Sequence, residues 1–205
     1  MKRVFAFLLI CFLIFPATRT AFSQEYTEFR HQLFTMQVPA TWHYIPKQRF
    51  NALIAEQARR QGLSGKGNPN WQVFECGFQK TPPLDGLSLP IITVKIDENK
   101  RFASTIRQQL TTMTEDQIAF TYTEAVKKLG REFGAIFGFN AEDIILDRRR
   151  NLLRFTLKQN NVQAFTSIYV HNNGLFHIIC NTFDDSELGK EVRIFRKVSD
   201  SFTLK

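Results

Sequence analysis

Few side chains in this sequence are placed to do chemistry. His171 and His177 flank Asn172-Asn173-Gly174, a hairpin signal because Asn and Gly tolerate the positive φ of tight turns. Two imidazoles are the start of a metal site, and the hairpin register decides whether they meet. With Asn173-Gly174 as a two-residue turn, His171 opposes Phe176 and His177 opposes Val170, so the rings point to opposite faces. With a three-residue loop over Asn172–Gly174 they become diagonal neighbours on one face. Neither register brings a third ligand or a nearby carboxylate, so no metal is expected.

The thiols are the second set. Cys180 stands in the apolar run Ile178-Ile179-Cys180. A nucleophilic thiolate wants a helix N-terminus or a cationic neighbour, so a Cys-His hydrolase built with His177 or His43 is not expected. Cys76 alternates in phase with Phe74 and Phe78 on an apolar strand face. In an oxidising compartment Cys76 and Cys180 can join as a disulfide, and buried free thiols are as common a use of the residue; the sequence leaves both open. Their separation is not a zinc pattern. Ser64-Gly65-Lys66-Gly67-Asn68-Pro69-Asn70 lacks the full phosphate-loop spacing and the strand-to-helix order that loop needs. No catalytic residue and no cofactor follow from these patterns.

Surface chemistry offers more. Arg148-Arg149-Arg150, with Arg154 and Lys158 beyond, is the densest positive cluster. An anionic membrane surface or an acidic partner would suit it, but a solvated turn with a protected strand edge is the favoured reading. Gly130, Gly134 and Gly138 recur every fourth residue beside Phe133 and Phe137, a groove that permits close backbone approach. Trp42, the arginines 148, 149, 150 and 154, Phe133 and Phe137 form the candidate interaction surface.

The elements that position these residues are preceded by an export signal. Lys2 and Arg3 lead into an apolar run from Val4 to Phe15, Pro16 breaks it, and Ala21-Phe22-Ser23 supplies a cleavage site. Twelve apolar residues are too few to cross a bilayer, which takes about 20. Residues 1–23 are expected to be removed, leaving one domain over 24–205 in the periplasm or outside the cell. With Lys2, Arg3 and Arg19 gone the net charge drops from +8 to +5. Nucleic acid is not an expected partner there.

In the remainder, 29–38 reads as a strand ended by Pro39, and Phe50, Leu53 and Ile54 recur at helical spacing up to a C-cap at Gly62. Trp71–Gln79 and Leu89–Ile96 read as strands. Ser104 is a candidate cap for a helix through Met113, and Thr114 starts another. Leu152–Lys158, Val162–His171 and Leu175–Phe183 follow as strands, and a last helix carries Leu188, Val192, Phe195 and Val198. In Leu175–Phe183 both parities are apolar, so the sheet is covered on both faces. The fold expected is α+β: a three-layer α/β/α sandwich on a mostly antiparallel central sheet of about six strands.

This order, with Phe34-Thr35-Met36-Gln37-Val38-Pro39-Ala40-Thr41-Trp42 near the start and Val198-Ser199-Asp200-Ser201-Phe202 at the end, resembles the PsbP-like superfamily. The resemblance spans about residues 29–204. It implies a binding or assembly module, not an enzyme scaffold. The expectation is therefore an exported, non-enzymatic accessory or binding protein of the bacterial envelope, with an envelope protein as partner. The alternative is a peripheral protein on anionic lipid. A secreted enzyme would need a deep polar pocket grouping His, Asp and Cys side chains.

Overall fold

The computed structural model describes residues 24–60, 73–84, 86–121, 124, 140–159, 162–183 and 188–205. The expected strand 29–38 is in fact a hairpin of β1 (Tyr26–Arg30) and β2 (Phe34–Pro39), in register Phe29↔Met36. The chain reverses at 31–33, where the His31 N–H donates to the Phe34 carbonyl at 2.9 Å and Leu33 N–H to His31 Nδ1 at 3.3 Å. A local side-chain bond thus replaces continued pairing. β3 (His43–Pro46) leads into α1 (Lys47–Arg60); Gly62, its expected cap, lies outside the described residues.

β4 is shorter than the expected Trp71–Gln79, running only over Cys76–Gln79. The backbone of Phe74 is taken instead by the Asn51 amide of α1, which accepts from Phe74 N–H at 2.9 Å and donates to its carbonyl at 2.8 Å. β5 (Ile91–Asp97) follows, then α2 (Lys100–Thr112). Its cap is Asn99, not Ser104: Phe102 N–H donates to Asn99 Oδ1 at 3.0 Å. Residues 115–121 are helical (α3) behind a reciprocal capping box. Gln117 N–H donates to Thr114 Oγ1, and Thr114 N–H donates to the Gln117 side chain at 2.8 Å. β6 (Asn140–Asp147), β7 (Leu152–Gln159), β8 (Val162–His171), β9 (Gly174–Phe183), α4 (Leu188–Asp200) and β10 (Thr203–Leu204) complete the order.

Among the described residues the main sheet has seven strands, β3-β4-β5-β9-β8-β7-β6, every pair antiparallel. The expected strand at 29–38 lies in a separate small sheet, and two strands not expected, β3 and β6, join the main one; the pairing of β6 to β7 is interrupted by a register shift between Glu142 and Ile145. A bulge of this kind breaks the alternation that marks a strand in sequence. A smaller sheet, β1-β2-β10, and α4 cover one face of the main sheet. Phe34, Met36, Phe78, Ile178, Phe195 and Val198 are buried there. On the other face α1 buries Phe50 against Ile45 and Ile91 at the β3–β4 edge. Further along, α2 and α3 set Ile106, Leu110 and Ile118 on Leu153, Ile168 and Leu175. The result is the α+β, three-layer sandwich, with a small sheet sharing one outer layer with a helix.

The β8–β9 hairpin adopts neither register anticipated. His171 pairs with Gly174, so Asn172-Asn173 is the turn and Gly174 opens the strand. Gly174 sits at φ +144°, and a Cβ there would lie 2.1 Å from the Asp97 carbonyl oxygen. Glycine is required twice over, by the positive φ where the turn enters β9 and by contact with the end of β5.

Candidate functional site

On the second face α1 and α2 pack on different parts of the sheet. α1 is tied to the β3–β4 edge, and Gly77 of β4 makes room for it, since a Cβ there would come within 2.4 Å of the Phe50 ring. α2 lies over the hairpin end of β8 and β9, on Ile168, Val170 and Leu175. Between them, over the opposite half of the central strands, is a cavity of about 790 Å³ bounded by the described residues. Its floor includes Thr93 of β5, Ala164 and Thr166 of β8, and Ile179 of β9; Phe50 and Ile54 form one wall and Phe102 and Ile106 the other. The size is that of a small-molecule site. Small floor side chains and bulky walls make the space.

The cavity is predominantly apolar. Its lining includes no Asp, Glu, Lys or Arg among the described residues, and His177 is the titratable side chain on it. His177 pairs with Lys95 of β5 on one side and Ile168 of β8 on the other. Burial pushes the imidazole pKa down to about 4, the Lys95 charge pushes the same way, and Asp97 opposes. Its Nε2 is buried with no hydrogen-bond partner among the described residues. Burial lowers the pKa of Lys95 as well, against the pull of Asp97. Thr93 is satisfied: its hydroxyl donates to the Ile179 carbonyl at 3.2 Å.

The residues singled out from sequence fall elsewhere. Trp42 is not a contact surface. It follows the Pro39 turn into the core, 8% exposed and edge-on to Phe195 at 6.4 Å. The arginines do not form one open patch. Arg154, with 12% of its side chain exposed, donates to Asp200 at 2.7 Å, to Ser199 at 3.0 Å and to Ser167 at 3.2 Å, and lies over the Phe165 ring. Arg150 donates to the same carboxylate at 3.1 Å and to the Tyr169 hydroxyl at 3.2 Å. Partial burial works against ionisation of Asp200, but the hydrogen bonds and charges of Arg154 and Arg150 hold its carboxyl below the ordinary value. Arg148 donates to the Met113 carbonyl, and Arg149 is exposed. Phe133 and Phe137 lie outside the described residues.

Cys76 and Cys180 are both buried and free, which corrects the possible disulfide. They pair with Val94 and Ile92 on opposite sides of β5, two strand spacings or about 10 Å apart, beyond the reach of an S–S bond. Burial, with Glu75 adding, pushes the Cys76 thiol up to about 12; burial also raises Cys180, against Arg154. His171 contacts the Phe176 ring on the first face, while His177 is on the second. The two histidines therefore stay apart. Among the described residues no group of three or more His, Cys, Asp or Glu side chains comes together for a metal, and no helix is long and apolar enough to cross a membrane. The cavity itself was not foreseen. Its signal in the sequence is the run of small residues, Ala164, Thr166 and Thr93, in strands otherwise rich in large ones.

No protein-family model matches the chain, and no curated protein matches it. Among solved structures the chain is similar to the solution structure of cyanobacterial PsbP (CyanoP) from Synechocystis sp. PCC 6803. The TM-score is 0.48 at 12% identity, over 89% of this chain and 94% of that one. It is also similar to the crystal structure of LpqN, involved in cell envelope biogenesis of Mycobacterium tuberculosis, with a TM-score of 0.38 at 12% identity, over 88% of this chain and 91% of that one.

Proposed function

We propose that the protein is an exported, non-enzymatic binding protein of the cell envelope that holds an apolar small molecule between α1 and α2. The observation that carries this reading is the 790 Å³ cavity with its apolar floor and walls. Apolar surface left in contact with water is unfavourable by about 25 cal/mol per Å², and an apolar ligand recovers that free energy. Support for export comes from the charged, apolar and small-residue segments of the first 23 positions. Support for a non-enzymatic role comes from the lining: both thiols belong to the opposite face of the sheet, and the Thr93 and Ser88 hydroxyls are engaged by the Ile179 carbonyl and by Thr81, not by His177. A face that docks an envelope protein or an anionic membrane draws on Trp42, the arginines 148, 149, 150 and 154, and Phe133 and Phe137, the last two outside the described residues. With Trp42 in the core and Arg150 and Arg154 bound to Asp200, the cavity is the better-supported contact.

The test is titration of the purified protein with a neutral apolar fluorophore such as N-phenyl-1-naphthylamine. Saturable one-to-one binding is expected, and Ala164→Phe, which fills the floor, should abolish it while circular dichroism stays native. Non-saturable binding, or binding that the folded Ala164→Phe protein retains in full, would reject the proposal.

A further inference from the structure

His177 is a feature that apolar filling does not explain. A leucine or phenylalanine would continue the apolar floor; the chain instead places a polar ring whose Nε2 is buried and unpaired among the described residues. Such an atom forfeits its hydrogen bond to water with nothing in return unless a partner arrives. The ring is uncharged near neutral pH, because burial and Lys95 both disfavour its protonated form, Asp97 only partly opposing them. Among the described residues the lining holds no acidic or basic side chain; Lys95, the cross-strand partner of His177, and Asp97 act on the ring in opposite directions, and an ion without a partner of its own is strongly disfavoured in an apolar setting.

Resting on the cavity being an apolar-ligand site, we infer that its ligand is an uncharged amphiphile: an alkyl or aromatic body carrying a hydroxyl group that hydrogen-bonds to His177. A hydroxyl both donates and accepts, so it satisfies Nε2 in either tautomer of the neutral ring. The body of the molecule then runs from His177 past Ile179 and Thr93 toward Phe50 and Ile54, where the lining is hydrocarbon. A fatty acid is the wrong ligand on this account. Its carboxylate would face an imidazole held neutral, beside Lys95, whose own charge burial disfavours and whose field Asp97 offsets.

Displacement of the neutral fluorophore by four twelve-carbon probes decides the matter: 1-dodecanol, 1-chlorododecane, dodecanoate and dodecylammonium, at pH 7.5. In a purely apolar cavity the chloro compound, the less water-soluble of the neutral pair, binds tighter. The expected result is the reverse order, with dodecanol ahead by about tenfold, the effect of one hydrogen bond, and both ions weaker than the alcohol. His177→Phe should restore the order of the apolar cavity, with chlorododecane ahead of dodecanol. Chlorododecane binding as tightly as dodecanol to the wild type, or dodecanoate binding more tightly, overturns the inference while leaving the cavity reading intact. Absence of binding by the fluorophore and by all four probes overturns both. Should the variant fail to fold, the order of the four probes on the wild type is sufficient to uphold or overturn the inference.

Discussion

Lowering the pH from 7 to 5 is expected to cost the fold about 2 kcal/mol through His177 alone. In the folded protein the imidazole is held to a pKa of about 4, by burial first, with Lys95 adding and Asp97 opposing. In the unfolded chain the same ring titrates near 6.5. The folded value is the lower one, so the unfolded state takes up the proton first. Stability present above pH 6.5 is therefore lost as the pH falls toward 4. The gap is worth about 3 kcal/mol at 1.36 kcal/mol per pH unit, and about 2 kcal/mol of it falls between pH 7 and 5. Below pH 4 both states carry the proton and this group costs nothing more. The Asp200 carboxylate, whose folded pKa is depressed by Arg154 and Arg150, contributes stability that is lost only at lower pH, in the carboxylate range.

The assay is urea unfolding followed by circular dichroism at pH 7, 6 and 5, on the wild type and on His177→Phe. With a urea dependence of about 2 kcal/mol per M, the wild-type midpoint should fall by about 1 M between pH 7 and 5. The variant has no group to titrate at this position, and its midpoint should move by less than half as much. At pH 7 the variant should equal or exceed the wild type, because it removes an unpaired buried nitrogen. Parallel losses in the two proteins would refute the reasoning, since they would mean that the His177 ring is as well solvated in the native state as in the unfolded chain.

Gly77→Ala places a Cβ within 2.4 Å of the Phe50 ring, itself fully buried. It should destabilise by about 1–3 kcal/mol in urea and weaken fluorophore binding, because Phe50 is a wall of the cavity. Gly174→Ala meets both a φ of +144° and the Asp97 carbonyl at 2.1 Å, so a loss of about 3 kcal/mol is expected, without the direct effect on the Phe50 wall. Cys76 and Cys180, buried with raised pKa values, should be inert to Ellman's reagent at pH 8 in the native protein, and both should react at once in guanidinium; prompt native labelling of either contradicts their placement. Mass spectrometry of the exported protein should give a chain beginning at Gln24; retention of residues 1–23 removes the export reading.

What was legible in the sequence followed local rules. In β9 the apolar residues of both parities, Phe176 and Ile178 against Leu175 and Ile179, demanded cover on both faces, and both faces are covered. The stripe Phe195–Val198 fixed the buried side of α4. The misreadings came from contacts between distant residues. Gly174 has the positive φ expected of a turn glycine, but its second requirement, room for the Asp97 carbonyl, comes from a strand far upstream. Phe74 belongs to an alternating apolar run, yet its backbone is taken by Asn51 of α1. Trp42 resembles an exposed aromatic until Phe195, near the other end of the chain, closes over it. His177 was visible as a chemical group, but its surroundings depend on Lys95 and Ile168 arriving beside it through sheet pairing.

The cavity has two separate causes, and each is already written in the chain. The first is helix placement. A sheet of seven strands is about 29 Å wide, and a packed helix covers about 10 Å of it. Asn51 and Gly77 hold α1 at one edge. Asn99 starts α2 two residues after β5 ends, beside the β8–β9 turn, where Arg107 reaches Asn172. A 13-residue helix is about 20 Å long, and from that start α2 packs on the hairpin end of the central strands. The second cause is the floor. On the face under α4, β8 presents Phe165 and Tyr169; on the cavity face the same strand presents Ala164 and Thr166. A chain that only needed to seal the gap would place large side chains there, as it does one residue away on the opposite face. Small residues beneath a gap between two pinned helices, with a polar ring set among them, account for the volume that the proposed ligand would fill.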